Sequence, residues 1–204
     1  MKKIKDELIR YGKLVYSKEL VIGTGGNISA RSGGKIYIKA SGVSLEDSKA
    51  NDYNEVDLKT SKAICHDRPC SIEIPMHLAC YAVRHDIGAV IHIHPIYGTI
   101  VGMLVKNLGF ISYEMMCTVS TEVPVIGYKK SGSRQLAMAV GGAIKKHNAV
   151  LLKNHGAVVV GSSIKEAYFR ALALERACKT YILSRIAGQA SFLPTSELKR
   201  LSCY

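Results

Sequence analysis

The stretch Val90–Pro95 reads Val-Ile-His-Ile-His-Pro, and it predicts a β-strand that carries two imidazoles. β-Branched residues alternate with polar ones, and the closing proline ends the pattern. Side chains two positions apart on a strand point to the same face of the sheet. His92 and His94 are therefore expected to project side by side, with Ile91 and Ile93 on the opposite face.

This pair of histidines is compatible with two interpretations. Two neutral imidazoles can bind one divalent metal ion, whereas two protonated imidazoles repel each other. Histidines on a half-buried strand can also do no more than satisfy hydrogen bonds. The metal interpretation therefore requires further ligands elsewhere in the chain.

Composition limits the class of protein. The chain has 204 residues, of which 48% are hydrophobic and 22% charged, which is typical of one globular domain with a sizeable core. The N-terminal segment lacks the apolar stretch of a signal peptide, and no apolar run approaches the ~18–20 residues of a membrane helix. We therefore expect a soluble, cytoplasmic protein that does not associate with a membrane.

Neither the cysteines nor the net charge indicates a zinc-ribbon protein, a disulfide-rich protein or a nucleic-acid-binding protein. None of the six cysteines forms a C-x-x-C pair, so we expect reduced thiols and no zinc ribbon. They are Cys65, Cys70, Cys80, Cys117, Cys178 and Cys203. The net charge of +12 comes from scattered lysines and arginines. Without a dense basic run or an RNA-binding aromatic motif, it favours a solvated surface that attracts anionic substrates over a nucleic-acid partner.

Hydrophobic periodicity predicts helices and short strands in alternation. The predicted helices span 4–21, 74–84, 96–106, 132–147 and about 163–187, the last opened by a capping box. The predicted strands span 28–31, 35–39, 55–58, 88–94, 110–113, 123–128, 149–152 and 157–160. Short links between the first strands favour antiparallel pairing. This order predicts a single α/β domain, residues 1–187, with a central, mostly antiparallel sheet flanked by helices, and a C-terminal tail, residues 188–204.

A third imidazole candidate is His155, in the turn sequence Lys153–Gly156 between two apolar strands. Alone, it would be read as a turn residue. With His92 and His94 it completes three protein ligands, and three ligands plus an open position are typical of a catalytic zinc site.

Glu73 is the fourth candidate, and it lies just before the helix that begins near Pro75. An acidic residue at a helix N-terminus is common and mildly stabilising. Beside a metal, the same carboxylate could bind the ion and act as a base once substrate enters. His77 is expected to be a core histidine or one that supports the ligands, whereas His66, His85 and His147 are expected at the surface.

The glycine cluster Gly23–Asn27 offers backbone N–H groups of the kind that bind anions. Ser41, Gly42 and Ser71 could add donors to such a site. The cluster is not a P-loop, because no Gly-Lys-Ser/Thr follows it. It is not a dinucleotide-binding fingerprint either, because it follows a helix and not a first strand.

Five segments occur in a characteristic order: Gly23–Ser29, Ala40–Gly42, Ser71–His77, His92–Pro95 and Asn154–Gly156. Together they resemble the class II aldolase/adducin family over about residues 4–187. Among its members, the pattern is most similar to L-fuculose-1-phosphate aldolase-like proteins.

The resemblance implies a homotetramer of fourfold symmetry with active sites at the subunit interfaces and one Zn²⁺ per subunit. It implies zinc binding by His92, His94 and His155, with Glu73 as fourth ligand and acid/base. It implies a catalytic role for Tyr113, from the neighbouring subunit, in protonating the leaving group, although a packed strand aromatic is an equal alternative. The implied phosphate-binding residues are Thr24, Gly25, Asn27, Ser41, Gly42 and Ser71. Tyr204 is only loosely similar to an aldolase C-terminal arm.

The implied activity is a zinc-dependent aldolase that cleaves or forms a C–C bond in a ketose 1-phosphate, through a metal-stabilised enediolate. The products of cleavage would be dihydroxyacetone phosphate and an aldehyde. The alternatives within the family are a sugar-phosphate decarboxylase, a dehydratase and a 4-epimerase, although the epimerase carries Asp in place of Glu73. The alternatives outside enzymes are an adducin-like interaction module and a basic nucleic-acid binder. The potential metal ligands argue against the interaction module, because a scaffold has no need of an open metal site. Only the net charge supports the nucleic-acid binder.

Two departures from the aldolase pattern bear on the substrate. Ile72 stands where the phosphate pocket of the aldolases carries the second serine of Ser-Ser-Glu. The loss of this hydroxyl donor would weaken phosphate binding by roughly 1–3 kcal/mol. Ser131, Gly132 and Ser133 stand where the fuculose enzyme has an aromatic residue near the aldehyde. The sugar therefore stays open.

Overall fold

The structure is a computed structural model that describes residues 2–65 and 68–200. Within these residues the α-helices are α1 (Lys2–Ser17), α2 (Ile74–Val83), α3 (Ile96–Leu104), α4 (Tyr113–Thr118), α5 (Arg134–Ile144) and α6 (Ile164–Ala187). The strands are β1 (Asn27–Ser32), β2 (Lys35–Lys39), β3 (Tyr53–Asp57), β4 (Ala63–Ile64), β5 (Ala89–Ile93), β6 (Asn107–Leu108), β7 (Val123–Ile126), β8 (Ala149–Leu152) and β9 (Gly156–Gly161). The expectations for His66, Cys203 and Tyr204 lie outside the described residues.

The strands of the described chain form one sheet in the order β4-β3-β2-β1-β5-β9-β8-β7-β6. All neighbouring pairs are antiparallel except β7 and β8. The strand with the two histidines, β5, lies at the centre, where His92 pairs with Asn27 on one side and Val158 on the other. The prediction of an α/β domain with a mostly antiparallel sheet is confirmed.

Helices cover both faces of this sheet and create two apolar cores. Ile91 and Ile93 point into the core formed with α1, α3, α4 and α6. Val90 points into the opposite core, formed with α2 and α5. The alternation along β5 therefore places His92 on the α2/α5 side, at the end of the strand.

The predicted strand at 110–113 is wrong. Its apolar alternation resembled a strand, but α4 begins at Tyr113 because the Ser112 hydroxyl accepts a hydrogen bond from the Met115 backbone N–H. The first helix also ends earlier than predicted, at Ser17, and Glu19 adopts a left-handed backbone conformation. The predicted start of α6 is confirmed, since the Ser163 hydroxyl accepts from the Glu166 N–H.

The expectation that all six cysteines are reduced thiols is wrong for one pair, because Cys65 and Cys70 form a disulfide. Their spacing lies outside the C-x-x-C pattern, but the loop between β4 and α2 brings their Cα atoms to 5.5 Å, within the usual range for a disulfide. Cys80, Cys117 and Cys178 are free thiols.

The segment after α6 packs against the domain. The Leu193 N–H donates to the Phe110 carbonyl at 2.8 Å, and a short 3-10 helix covers Thr195–Arg200. The division at residue 188 into a domain and a tail stays a prediction. In the part of the chain that is described, no helix is both long enough and apolar enough to span a membrane.

Two adjacent glycines in α5 provide a test of how closely the helices pack. A Cβ at Gly141 would lie 3.2 Å from the Ala79 Cβ and 3.3 Å from the Ala79 carbonyl oxygen, whereas a Cβ at Gly142 would meet nothing within 4 Å. Gly142→Ala is expected to stabilise the protein by about 0.5–1 kcal/mol through helix propensity. Gly141→Ala is expected to be at least about 1 kcal/mol less stable than Gly142→Ala, because α2 must move.

Denaturant unfolding of both variants measures this difference. Equal stability of the two alanine variants would contradict the close approach of α2 and α5.

Candidate active site

Three imidazoles meet where β5 ends and β9 begins. His92 belongs to β5, His94 follows the strand directly, and His155 lies in the tight turn between β8 and β9. The ring centroids of His92 lie 4.8 Å from those of both His94 and His155, and the latter two are 5.2 Å apart. One ligand atom of each ring lies within 4.8 Å of those of the other two. The structure thus brings together the three predicted histidines, which could bind a metal ion.

Hydrogen bonding determines which nitrogen of His92 is free. Its Nδ1–H donates to the Ala157 carbonyl at 3.0 Å, so Nε2 carries the lone pair. That Nε2 lies 3.0 Å from His94 Nε2. Two nitrogens on a tetrahedral ion with bonds of about 2.0–2.1 Å lie about 3.3 Å apart, which is close to this spacing.

Burial keeps the three rings neutral. It lowers the pKa of His92 well below its usual value, and the neighbouring His94 and His155 lower it further. Burial, followed by repulsion from His155 and Lys39, lowers the pKa of His94 to about 4. Burial also lowers the pKa of His155, although Glu73 acts in the opposite direction. Neutral imidazole is the form that binds metals.

Glu73 brings a carboxylate to the same place. It occupies the N-cap position of α2 and is only 4% exposed. Its Oε1 accepts a hydrogen bond from the Ser131 hydroxyl, while Oε2 is buried and has no hydrogen-bond partner among the described residues. Among the described residues, the histidines alone have ligand atoms within 4.8 Å of one another, and Glu73 lines the same cavity. Three neutral imidazole nitrogens with an open position fit a divalent cation, and an unpaired buried carboxylate oxygen beside them is costly unless it gains a partner.

The glycine cluster provides clearance for the histidine strand. A Cβ at Gly25 would lie 3.1 Å from His94 Nδ1. Gly26 has a φ of +64°, and a Cβ there would lie 2.7 Å from the His92 carbonyl oxygen. Larger residues would push this loop away from β5, so the two glycines help to position the imidazoles.

A cavity of about 180 Å³ opens in front of the imidazoles and Glu73. Five of the predicted phosphate-pocket residues line it: Thr24, Asn27, Ser41, Gly42 and Ser71. Gly25, the sixth, lies against the His94 ring and is not among the lining residues. Ile72 and Ser131 also line the cavity. The structure therefore places a polar wall beside the candidate metal ligands.

Tyr113 does not line this cavity. It is the first residue of α4 and 63% exposed, so a packed strand aromatic is wrong. A catalytic role for its phenol would require a second copy of the chain.

Lys39 is a cavity residue that was not predicted from the sequence. It is 2% exposed, and its Nζ donates to the carbonyls of Thr24 at 2.9 Å and Val43 at 2.5 Å. Burial lowers its pKa to about 8. The available signal was its place at the end of an alternating strand, directly before Ala40-Ser41-Gly42.

A buried hydrogen-bond chain holds Asn27. His77 Nε2–H donates to Asn27 Oδ1 at 2.5 Å, and His77 Nδ1 accepts from the Ser29 hydroxyl at 2.7 Å. The Ser29 oxygen also lies 2.8 Å from the Tyr81 hydroxyl. Because the Asn27 carbonyl oxygen is engaged by His77, its amide N–H groups are free to donate to the cavity.

The other histidines are placed as follows. His77 is fully buried, as expected of a core or supporting histidine, and burial lowers its pKa to about 3. His85 is exposed, as predicted. His147 is half-buried and donates to the Glu122 carbonyl at 2.9 Å.

The chain is similar to known proteins over most of its length. A family model described as Class II Aldolase and Adducin N-terminal domain matches residues 6–182. A 5-deoxy-D-ribulose 1-phosphate aldolase of Bacillus thuringiensis is 32% identical, with 99% of this chain and 95% of that protein covered. An L-fuculose phosphate aldolase of Methanococcus maripaludis is 35% identical over 88% of this chain and 97% of its own.

A solved structure of an L-fuculose 1-phosphate aldolase superimposes with a TM-score of 0.91. The two chains are 31% identical, and 98% of this chain and 94% of that one are covered. The helices and strands that position the cavity therefore have counterparts in a known enzyme fold.

The hydrogen-bond chain behind Asn27 predicts a graded loss of stability. His77→Phe removes both ring nitrogens and leaves Ser29 and Asn27 each without one buried partner, so the free energy of unfolding should fall by about 2–4 kcal/mol. Tyr81→Phe removes only the end of the chain and should cost about 1 kcal/mol. Denaturant unfolding measures both losses, and a smaller loss for His77→Phe would contradict the network.

Proposed function

The chain belongs to the class II aldolase and adducin family, and on that premise we propose that its histidine–glutamate cavity cleaves and forms a C–C bond in a ketose 1-phosphate. The relatives named above are aldolases, so the expectation of a class II aldolase enzyme is confirmed. The observation that carries the proposal is the meeting of His92, His94, His155 and Glu73 at one cavity with a polar wall.

The proposed cofactor is one Zn²⁺ per subunit. His92, His94 and His155 would hold it, and Glu73 would be the fourth ligand in the absence of substrate. Three neutral imidazoles and a carboxylate suit Zn²⁺ better than they suit Mg²⁺ or Ca²⁺, because those two ions prefer sites made of oxygen ligands. When bound, the ion supplies Lewis-acid stabilisation of the negative charge that develops on the enediolate.

The polar wall would bind the phosphate of the substrate. Thr24, Ser41 and Ser71 offer hydroxyl donors, and Asn27 offers its amide. Gly42 has a φ of +72°. Because it has no side chain, its backbone would be accessible to the phosphate. Lys39 adds positive charge beneath this wall, so the buried lysine offsets part of the phosphate charge.

The substrate is a proposal from the relatives, which are named for L-fuculose phosphate and 5-deoxyribulose 1-phosphate. In the cleavage direction, the C4 hydroxyl of such a ketose 1-phosphate loses its proton and the C3–C4 bond breaks. The electron pair of that bond stays on C3 of the dihydroxyacetone phosphate fragment, and C4 becomes an aldehyde.

Two side chains would carry the protons. Glu73 Oε2 lies unpaired beside the cavity, and we assign it the delivery of a proton to C3. In the cleavage direction, Tyr113 of a neighbouring subunit would accept the proton of the C4 hydroxyl, and in the reverse direction it would return a proton to the aldehyde oxygen. In the reverse direction, Glu73 removes the proton from dihydroxyacetone phosphate.

A homotetramer with shared active sites is part of the proposal. The cavity of one chain, about 180 Å³, is smaller than the ~300–1,000 Å³ typical of ligand sites, which supports completion by a second chain. Ile22 and Ile96, close in sequence to the glycine cluster and His94, expose most of their apolar side chains. Exposed apolar residues of this kind suit a subunit contact. A cytoplasmic location stays a prediction.

The reaction is tested by incubating the protein and Zn²⁺ with a panel of ketose 1-phosphates. Release of dihydroxyacetone phosphate, measured with a coupled NADH assay, is the expected result. Glu73→Gln should lower kcat by at least about 100-fold, because the amide cannot exchange the proton. Water loss or an epimerised sugar without dihydroxyacetone phosphate would support the dehydratase or the 4-epimerase instead. The decarboxylase needs a phosphorylated sugar acid added to the panel, because a ketose 1-phosphate has no carboxyl group to lose, and carbon dioxide released from that acid would support it.

The metal is tested by elemental analysis of protein purified without chelator. We expect one zinc per chain, and its loss in His92→Ala because two ring nitrogens cannot hold the ion as tightly as three. His85→Ala, which removes an exposed histidine, is the control and should keep the zinc. Full zinc content in His92→Ala would contradict the site.

Lys39 predicts a pH dependence of anion binding. Glycerol 1-phosphate, with a second pKa of about 6, is mostly dianionic above about pH 7, so between pH 7 and 9.5 the lysine is the cavity group that loses most charge. Its pKa, lowered to about 8, means that Lys39 is charged below this pH and neutral above it. Inhibition by glycerol 1-phosphate should weaken as the pH rises through about 8.

Lys39→Met is the matched variant. It should bind glycerol 1-phosphate more weakly at pH 7, with little further change up to pH 9.5. An unaltered pH profile in this variant would exclude Lys39 as the source of the effect.

A further inference from the structure

Ser131 makes a contact that the proposed reaction does not yet use. Its hydroxyl donates to Glu73 Oε1, across 58 positions of sequence, at the wall of the cavity. The other carboxylate oxygen, Oε2, is buried and has no hydrogen-bond partner among the described residues. The two oxygens of one carboxylate are thus in different surroundings.

The loop that carries Ser131 is held against the segment that carries Glu73. Gly132 has a φ of +71°, and a Cβ there would lie 3.0 Å from the Ile72 carbonyl oxygen. The Ser133 N–H donates to the Lys130 carbonyl at 3.1 Å, and the Ser133 hydroxyl caps α5. Close packing at Gly132 therefore keeps the Ser131 hydroxyl near Glu73.

The helices that follow these two residues also pack against each other. Glu73 is the N-cap of α2, and α5 begins at Arg134, three residues after Ser131. Gly141 of α5 lies against Ala79 of α2. The hydroxyl and the carboxylate thus lie directly before two helices whose separation is fixed by packing.

We propose that Ser131 is a positioning residue that binds Glu73 Oε1 and so leaves Oε2 as the oxygen that exchanges a proton with the substrate carbon. The inference rests on the proposed function, in which Glu73 is the acid/base. A free carboxylate rotates about its Cγ–Cδ bond and presents either oxygen. A carboxylate that is hydrogen-bonded at one oxygen presents the other oxygen in one orientation. This reduces the entropy that must be lost to reach a reactive geometry.

The experiment isolates the Glu73 step. Dihydroxyacetone phosphate is incubated in D₂O with the zinc-loaded enzyme, without an aldehyde, and the exchange of its C–H hydrogen is followed by NMR. Removing a hydrogen bond to a charged group should slow this exchange in Ser131→Ala by about 10-fold or more. The KM for dihydroxyacetone phosphate should stay within about twofold, because Ser131 orients the base and does not hold the phosphate.

Two variants serve as controls. Ser131→Thr keeps the hydroxyl and should retain exchange within about threefold of the wild type. Ser17→Ala removes a hydroxyl that donates to the Leu14 carbonyl within its own helix, and should change nothing. Equal exchange rates in Ser131→Ala and the wild type would overturn the inference, and so would a failure of Ser131→Thr to restore the rate. Absence of exchange in the zinc-loaded wild type would instead overturn the proposed function.

A second readout does not depend on activity. In the metal-free protein, Ser131→Ala and Glu73→Ala should each shift Tm, and the double variant should differ from the sum of the two shifts by about 2–4 °C. Such non-additivity reports a direct interaction between the two side chains. Additive shifts would contradict the hydrogen bond on which the positioning role depends.

Discussion

The arrangement depends on the pairing of β5 with β1 on one side and β9 on the other. This pairing sets His92 opposite Asn27 and Val158, so one strand register fixes an imidazole, an amide and the end of the turn that carries His155. A slip of one residue would turn His92 into the apolar core on the α1/α6 side. The buried, two-sided position of β5 makes such a slip costly, because Ile91 and Ile93 would lose their packing.

Glycines and buried hydrogen bonds position the side chains of the site more closely than strand pairing alone. Gly25 and Gly26 let the loop after α1 approach the histidines, and the Ala157 carbonyl selects the tautomer of His92. Glu73 and Asn27 are each held from behind, by Ser131 and His77. The cavity therefore has a nitrogen-rich side suited to a metal ion and a polar side suited to an anion, and each is supported by buried contacts.

The fold and the centre of the site were predictable because they follow from local patterns. Alternation along Val90–Pro95 identified the strand and the shared face of its histidines, and the Asn-His-Gly turn identified His155. The missed features depend on contacts between distant residues. In the sequence Lys39 is an ordinary residue at the end of a strand, and only its hydrogen bond to the Thr24 carbonyl buries it at the cavity. Ser131 is likewise an ordinary loop serine except for its hydrogen bond to Glu73. The disulfide depends on a loop conformation, and α4 on a single capping serine.

In the proposed site, three imidazoles and one carboxylate surround a single divalent ion. X-ray absorption at the zinc edge of the reconstituted, substrate-free protein tests it most directly. We expect the ion to be bound by three imidazole nitrogens at about 2.0–2.1 Å, with carboxylate or water oxygen and no sulfur. A shell that contains cysteine sulfur, or oxygen alone, would contradict it.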